Sequence, residues 1–450
     1  MHADQPKGYP SPGKALASSG DGVTGDRSGV FGVKQYIVGA VRSGSRLVII
    51  TAAGAALVLS AAACSVLGGH SQPPPAAQLT ITPASGVQNV SPSAGVTVTA
   101  KHGKLRNVVV RAIGDPLAGL LSRSKTAWHS EGLLYPSHTY TVTATAIGAG
   151  GKRVTVTSTF QTLKPRKTFS ASIIEGYQQS YGVGMPIVLT FNRPITHKAA
   201  VESSLSLVTS KPVVGAWYWD GNETLEFRPR VYWPQHTVVS VKGDFKGVEA
   251  ARGVYGIRNV SQTFNIGASL IVVASTTSHY MQVYYKHRLF GDWPISTGRP
   301  GDDTANGTYL TIEKANPTFM TGPGYALWVP WAVRFTWSGV YIHDAYWSVG
   351  EQGYVNVSHG CVNTSPEHAE IYYNMELPGD PVTVTNSPVA GTWDNGWTEW
   401  FLSWKQLLKG SALHEAVEAG PNGSSFVSPA TLPAVQASVP LQRPRFNNAA

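Results

Sequence analysis

One short stretch of the sequence carries the residue types of a nucleophilic site. Cys361 lies between Ser358-His359-Gly360 and Val362-Asn363, and His343 lies 18 residues earlier, at the end of a predicted strand. A thiol reacts as its thiolate, and at its ordinary pKa of about 8.5 only a few per cent is ionised at neutral pH. A neighbouring imidazole is therefore needed to take the proton, and both His343 and His359 are candidates for that base.

The surroundings of Cys361 favour catalysis over the other uses of a cysteine. Gly360 lets the backbone approach closely, so that amide N–H groups around Gly360 and Cys361 can point at a developing oxyanion. A buried structural thiol is the alternative, but the neighbours are polar and the second cysteine, Cys64, lies at the end of an export segment. Metal binding is the other reading, but the stretch offers one thiol and one imidazole without a C-x-x-C pair, so no metal is predicted.

The N-terminal sequence predicts export. Residues 47–64 are an uncharged apolar run that ends in Cys64 and follows two arginines, the pattern of a signal peptide or a short membrane anchor. Small residues before Cys64 resemble a bacterial lipoprotein cleavage site, so Cys64 is a candidate for lipid attachment and an uncleaved anchor is the alternative. Residues 1–46 are predicted to be a disordered tail and 65–77 a linker. The remainder is expected at the extracytoplasmic face of the plasma membrane.

The composition predicts several mostly β domains. The 450 residues are 42% hydrophobic and 14% charged, with 47 Gly and 30 Pro. A chain of this length is too long for a single hydrophobic core. Its high Gly and Pro content and low share of charged residues are typical of loop-rich β proteins. The formal net charge of +9 is too dilute to indicate nucleic-acid binding.

Two tandem β-sandwiches are predicted ahead of the chemical site. Apolar and polar residues alternate in several short runs of the first, as in half-buried strands. The run Tyr135-Pro136-Ser137-His138-Thr139 recurs as Trp233-Pro234-Gln235-His236-Thr237, an offset of 98 residues that is close to the size of an immunoglobulin-like sandwich. We therefore expect immunoglobulin-like domains at 78–163 and 168–267. The aromatic run Trp217-Tyr218-Trp219 is interpreted as packing in the second, with a sugar-stacking surface as the alternative.

The C-terminal half is predicted to hold a β-rich catalytic domain at 269–386. In the Trp-rich segment 387–410, aromatic and leucine residues recur at three- and four-residue spacing, which predicts a short amphipathic helix that packs against the catalytic domain. Residues 411–450 are rich in Ala, Pro, Ser and Asn and are predicted to be a disordered tail. The fold class expected for the whole chain is mainly β.

The motif resembles a known signature. It reads Ser358-His359-Gly360-Cys361-Val362-Asn363 with His343 before it, as in the L,D-transpeptidase (YkuD-type) catalytic domain. The order of anchor, two immunoglobulin-like modules, catalytic domain and Trp-rich segment is similar to the actinobacterial, mycobacterial-type members of that family. The resemblance implies an enzyme that crosslinks peptidoglycan stem peptides between two diaminopimelate residues, is acylated by carbapenems and requires no cofactor.

Site roles follow from the resemblance by matched position. It implies that Cys361 is the nucleophile and His343 the general base and acid, and that His359 and Gly360 shape the site. Asp344 replaces the serine that commonly follows the base. The implied substrate contacts, including a stretch that resembles a lid, are Met320, Tyr325, Ser338, Gly339, Ser358 and Asn363.

Three functions remain open from the sequence. The leading one is a peptidoglycan L,D-transpeptidase, a cysteine acyltransferase that forms 3-3 crosslinks through a thioester acyl-enzyme. With water in place of the acceptor amine, the same site would be an L,D-carboxypeptidase that trims tetrapeptide stems. A non-catalytic cell-wall-binding spacer is the alternative outside the enzymes.

Overall fold

The computed structural model describes residues 75–114, 116–322 and 324–434. The predicted N-terminal tail, the anchor segment with Cys64 and most of the predicted linker lie outside the described residues. Within the described ranges, no helix has the length and apolarity needed to cross a membrane.

The first β-sandwich consists of two sheets with strand orders β1-β2-β5-β4 and β3-β6-β7. Alternation along the strands turns one face of each sheet inward, and the fully buried Val98, Val142 and Phe160 form part of the core between them. The strands are β1 (Gln78–Thr82), β2 (Thr97–Lys101), β3 (Gly103–Arg111), β4 (Gly119–Leu121), β5 (Ala127–Ser130), β6 (Thr139–Gly148) and β7 (Arg153–Gln161), with a 3-10 turn at Pro92–Ala94.

The second β-sandwich is larger and more aromatic. Trp217 and Trp219 are 1% and 6% exposed and belong to its core, which confirms the interpretation of this aromatic run as packing. Its elements are β8 (Lys167–Phe169), β9 (Ala171–Ile173), β10 (Ser180–Tyr181), β11 (Ile187–Phe191), α1 (Lys198–Glu202), β12 (Leu205–Thr209), β13 (Val213–Asp220), β14 (Thr224–Pro229), β15 (Val238–Gly243), β16 (Glu249–Ala251), β17 (Val254–Gly256) and β18 (Val260–Ile266).

The catalytic domain is built on a five-stranded sheet of order β21-β20-β19-β29-β22 and a four-stranded sheet of order β23-β26-β27-β28. The separate hairpin β24-β25 stands beside them, and Val272, Ile342 and Val362 lie in the core. The elements are β19 (Leu270–Ser275), β20 (Tyr280–Tyr285), β21 (Arg288–Pro294), β22 (Gly307–Leu310), β23 (Glu313–Ala315), β24 (Thr318–Gly322), β25 (Tyr325–Val329), β26 (Ala332–Arg334), β27 (Tyr341–Asp344), a 3-10 turn at Tyr346–Ser348, β28 (Val362–Thr364), α2 (Pro366–Met375) and β29 (Pro381–Thr385).

The Trp-rich segment contains a 3-10 turn at Glu399–Phe401 and a helix α3 at Trp404–Gly410. The helix begins at Ser403 because the Ser403 and Gln406 side chains each bond the other's backbone N–H in a capping box. Phe401 packs on Tyr309 of the catalytic domain, with 5.1 Å between ring centroids. Trp400, by contrast, donates its indole N–H to the carbonyl of Gly184 in the second sandwich at 2.8 Å. The segment therefore contacts both domains.

The prediction of a disordered tail from residue 411 was wrong for residues 411–434. Two strands, β30 (Ala416–Gly420) and β31 (Gly423–Val427), form a hairpin there, and a 3-10 turn follows at Pro429–Thr431. Strand β30 pairs antiparallel with β13, so the hairpin adds two strands and completes a six-stranded sheet of the second sandwich. Composition did not reveal this because the partner strand lies about two hundred residues earlier in the chain.

Candidate active site

Two neighbouring strands bring His343 and Cys361 to the same side of a sheet. Strands β27 and β28 are parallel, and their register pairs His343 with Asn363. Cys361 directly precedes β28, two residues before Asn363. Because side chains two residues apart on a strand point the same way, the thiol and the imidazole face the same cavity.

The imidazole of His343 is held as a neutral base. Its Nδ1 lies 2.7 Å from the carbonyl oxygen of Asp344, and because a carbonyl can only accept, Nδ1 carries the proton. The basic lone pair is then on Nε2. The side chain is 3% exposed, and this burial lowers the pKa of His343 to about 4, with the Asp344 carbonyl acting in the opposite direction. At neutral pH the ring is therefore uncharged.

The thiol of Cys361 is protonated at rest. Burial raises the pKa of Cys361 to about 11, and a hydrogen bond from the backbone N–H of Tyr341 offsets part of the rise. The thiol points towards the carbonyl oxygen of Gly339, 3.9 Å from the sulfur. The hydrogen bonds of the described residues include none between the sulfur and His343, so the resting pair is a thiol and a neutral imidazole rather than an ion pair.

The loop that carries Cys361 is braced by Ser358. The Ser358 hydroxyl donates to the carbonyl of Cys361 at 2.6 Å and accepts the N–H of Gly360 at 3.1 Å. Gly360 has φ +116°, a backbone conformation that favours glycine. The Gly360 N–H is thus already bonded within the loop in this arrangement, and its role as an oxyanion donor stays a prediction. Ser358 was expected to contact substrate, yet its hydroxyl is engaged by the loop.

The hairpin β24-β25 forms one wall of the site. Tyr325 and Met320 line the cavity, and the Tyr325 ring packs on His359 with 4.9 Å between centroids. Burial, the neighbouring Cys361 and Asp302 raise the pKa of Tyr325. The exposed His359 thus supports the lid hairpin, whereas His343 is the histidine whose buried ring lies on the sheet.

A cavity of about 350 Å³ joins these groups. Asn363 lines it, and its amide donates to the hydroxyl of Ser348 at 3.0 Å, which ties β28 to the turn after β27. The lining residues are Met320, Tyr325, Leu327, Val329, His343, Trp347, Ser348, Glu351, Val357, Ser358, His359, Cys361 and Asn363.

Two of the expected substrate contacts, Ser338 and Gly339, are not among the residues that line the cavity. Ser338 is exposed, does not line the cavity, and binds Asn395 through its backbone N–H at 2.8 Å and its hydroxyl at 3.0 Å. Gly339 presents its carbonyl to the Cys361 thiol. Ser338 therefore links the site to the Trp-rich segment, an arrangement that its place beside Gly339 in the sequence did not reveal.

Sequence reasoning missed Trp347 and Glu351, which both line the cavity. The Trp347 ring centroid is 6.0 Å from that of His343. The available signal was an aromatic pair, Tyr346-Trp347, directly after the strand that carries the base. The sequence around Glu351 contains no pattern that predicts a place in the active site.

The backbone of Asp344 orients the His343 imidazole, although aspartate replaces the serine that is common at this position. Its carbonyl holds the His343 ring, while its buried carboxyl oxygen Oδ1 has no hydrogen-bond partner among the described residues. Burial raises the pKa of the Asp344 carboxyl, and a backbone hydrogen bond from Tyr346 opposes the rise. In the described ranges no group of three His, Cys, Asp or Glu side chains is arranged to hold a metal ion.

Comparison with known proteins identifies the family to which the chain belongs. The family model described as L,D-transpeptidase catalytic domain matches residues 269–384, and the one described as bacterial Ig domain matches residues 87–249. L,D-transpeptidase 5 of Mycobacterium tuberculosis is 34% identical over 387 residues, which cover 82% of this chain and 86% of that protein. The chain belongs to the L,D-transpeptidase family.

A second curated relative of this L,D-transpeptidase supports the family assignment. L,D-transpeptidase 2 of Mycobacterium tuberculosis is 34% identical over 348 residues, 74% of this chain and 85% of that protein. A solved structure of the L,D-transpeptidase LdtMt1 in complex with imipenem is 35% identical, with 49% of this chain and 100% of that chain covered and a TM-score of 0.42. The resemblance and the mainly β fold class inferred from the sequence are confirmed.

Proposed function

We propose that this L,D-transpeptidase is a cysteine acyltransferase that joins peptidoglycan stem peptides by 3-3 crosslinks between diaminopimelate residues. The observation that supports this most strongly is the single cavity shared by the Cys361 thiol and the buried, neutral imidazole of His343. No cofactor is needed for this chemistry.

In the first step, the sulfur turns from the Gly339 carbonyl towards the imidazole and attacks the carbonyl carbon at the L-centre of a donor diaminopimelate. Nε2 of His343 takes the thiol proton as the C–S bond forms, since both groups are neutral at rest. The C–N bond to the terminal D-Ala then breaks, and the amine leaves with the proton from His343. A thioester on Cys361 remains.

Backbone amides stabilise the charges that develop. The N–H of Cys361 donates to no group in the described part of the chain, so it is available for the oxyanion. The N–H of Tyr341 faces the sulfur and would stabilise a developing thiolate. The sequence had indicated the amides around both Gly360 and Cys361 as oxyanion donors, and the Gly360 N–H is bonded to the Ser358 hydroxyl here.

In the second step, the side-chain amine of an acceptor diaminopimelate attacks the thioester carbonyl. The C–S bond breaks as the new C–N bond forms, His343 takes a proton from the attacking nitrogen, and the sulfur recovers that proton. Attack by water would instead release a tripeptide, which is L,D-carboxypeptidase activity. Tyr325, Met320 and Asn363 line the cavity, and we propose that they contact the stem peptides.

We further propose that the enzyme acts at the extracytoplasmic face of the plasma membrane, tethered through residues 47–64 or through a lipid on Cys64. The two β-sandwiches would then carry the catalytic domain away from the membrane. Its partners would be donor and acceptor stem peptides, with carbapenems as inhibitors.

Intact-protein mass spectrometry with a carbapenem tests the nucleophile. We expect one covalent adduct in the wild type, none in Cys361→Ala, and acylation slowed by at least about a hundredfold in His343→Ala. An undiminished adduct in Cys361→Ala would refute the assignment.

Incubation with disaccharide-tetrapeptide then separates the functions. Dimers indicate transpeptidation, whereas tripeptides alone indicate a carboxypeptidase. If neither product forms and Cys361→Ala leaves the muropeptide profile of cells unchanged, the spacer function is the correct one.

A further inference from the structure

The cavity of the catalytic domain is lined mainly by apolar and aromatic groups. Leu327, Val329 and Met320 come from the hairpin β24-β25, and Trp347 and Val357 come from the segment between β27 and β28. Among the described residues that line it, a single side chain carries a carboxylate, Glu351.

The backbone holds Glu351 firmly in the turn after β27. Its N–H donates to the carbonyl of Ser348 at 3.1 Å, and its own carbonyl accepts the N–H groups of Tyr354 at 3.0 Å and Val355 at 2.9 Å. Ser348 is itself bonded to Asn363 of β28. The position of Glu351 relative to the strand that follows Cys361 is thereby fixed.

The carboxylate of Glu351 has no ion-pair or hydrogen-bond partner in the described part of the chain. Other glutamates of this domain do: Glu313 pairs with Arg334 at 2.8 Å, and the buried Glu376 lies 3.5 Å from Lys314. Glu351 is half-buried, so a ligand that fills the cavity removes water from it. Dehydrating a carboxylate without a partner is costly, so a well-matched ligand brings a positive charge or several N–H donors.

The stem peptides of the proposed reaction carry such a charge. Each diaminopimelate has a side-chain amine that is an ammonium group at neutral pH, both in the acceptor and in the donor. We propose that Glu351 is a substrate-binding residue that pairs with a diaminopimelate ammonium group in the cavity, an inference that rests on the proposed function.

Glu351 acts here in binding rather than as the base. His343 has its own hydrogen-bond partner in the Asp344 carbonyl, and burial and backbone groups account for the states of both reacting side chains. Removal of the Glu351 charge is therefore expected to change the KM for the amine-bearing substrate more than kcat.

The test compares Glu351→Gln with Glu370→Gln, which makes the same charge change at an exposed position of α2. Three rates are measured: acylation by a β-lactam without a cationic group, D-Ala release from a tetrapeptide donor, and dimer formation against acceptor concentration. Glu351→Gln should acylate with the β-lactam within about twofold of wild type and should raise one substrate KM tenfold or more. Glu370→Gln should match the wild type throughout.

The arms of the experiment distinguish the two amines. A raised KM in D-Ala release assigns Glu351 to the donor amine, and a raised KM for the acceptor alone assigns it to the acceptor amine. For the donor, acetylation of its amine should abolish the difference between wild type and Glu351→Gln in D-Ala release. For the acceptor, whose amine is the nucleophile, the acetylated stem should instead bind equally to Cys361→Ala with and without Glu351→Gln. Unchanged KM values for both substrates, or an equal defect with acetylated substrate, would overturn the proposal.

A binding measurement keeps this inference separate from the proposed function. In the Cys361→Ala background, calorimetry with the tetrapeptide stem should show binding weakened about tenfold or more by Glu351→Gln, and the difference should shrink at high salt. Equal affinities would overturn the role of Glu351 whatever the catalytic result. If the wild type is not acylated by the β-lactam, that result would instead count against Cys361 as the nucleophile.

Discussion

The two β-sandwiches share an architecture but differ in how they are joined to the rest of the chain. The core of the first consists of its own residues, such as Val98 and Phe160. The core of the second is continuous with Leu310 of the catalytic domain, Trp397 of the Trp-rich segment and Val417 of the C-terminal hairpin. The second sandwich is thus a structural part of the catalytic unit, whereas the first is a separate module.

The contacts of each sandwich support this distinction. Gly182 and Gly184 of the second donate backbone hydrogen bonds to the carbonyls of Pro378 and Gly379 in the catalytic domain at 2.9 and 3.0 Å. A Cβ on Gly182 would lie 2.2 Å from the backbone nitrogen of Asp380, so the close approach requires glycine there. The first and second sandwiches, by contrast, meet through side-chain contacts, with Lys246 over the Tyr135 ring at 4.8 Å and Leu133 against the core of the second, beside a cleft of about 770 Å³ lined by both.

Truncation after Gly410, which removes the hairpin β30-β31, should have the largest effect on stability. We expect the second sandwich and catalytic domain to lose on the order of 5 kcal/mol together, because the truncation removes the buried Val417 from their shared core and uncovers the edge of β13. Their shared unfolding transition should fall by roughly 10 °C or more, while that of the first sandwich stays in place. Differential scanning calorimetry measures both.

Truncation after Ala434 is the matched control, because it removes none of the described residues. It should leave both transitions unchanged. If truncation after Gly410 lowers the transition of the first sandwich equally, the two sandwiches are one unit and the comparison fails.

A matched pair of core substitutions tests whether each sandwich stabilises the active site. Phe227→Ala in the second sandwich and Phe160→Ala in the first each delete a ring that is at most 1% exposed, so each should cost about 3–5 kcal/mol. Only Phe227→Ala should lower the temperature at which carbapenem acylation is lost. Comparable heat inactivation by Phe160→Ala would show that the first sandwich stabilises the active site.

A third test concerns pH. Burial raises the pKa of Glu175 in the second sandwich to about 8. Because the unfolded chain releases this proton near pH 4.5 and the folded chain only near pH 8, the stability of the catalytic unit should decrease between those values. Thermal unfolding at pH 5, 6.5 and 8 measures the slope.

Glu175→Gln should reduce that slope without abolishing it, because burial also raises the pKa of Glu376 and Asp380 in the same unit. In the first sandwich, burial raises the pKa of Tyr140 from 10.0, which lies above this range, so Tyr140 adds no slope here. An unchanged slope in Glu175→Gln would contradict the assignment to Glu175.

Local sequence patterns predicted much of the fold and the centre of the site. Alternation identified strands such as β6 and β7, and the motif around Cys361 with its distant histidine indicated the family. These features could be recognised because strand periodicity and a nucleophile motif are encoded over a few consecutive residues. Trp347 and Glu351 could not be found in this way, because their role depends on facing a hairpin from an earlier part of the chain.

The sequence by itself determined the mainly β class, the family, and the residue types of the reacting pair. Only the tertiary structure decided the protonation states of that pair, since burial and the Asp344 carbonyl set them. It also decided that the Gly360 amide is used within its loop and that the C-terminal hairpin completes a sheet formed by residues far earlier in the chain. Burial and hydrogen bonding between distant segments arise only when the chain is folded, so no local pattern records them.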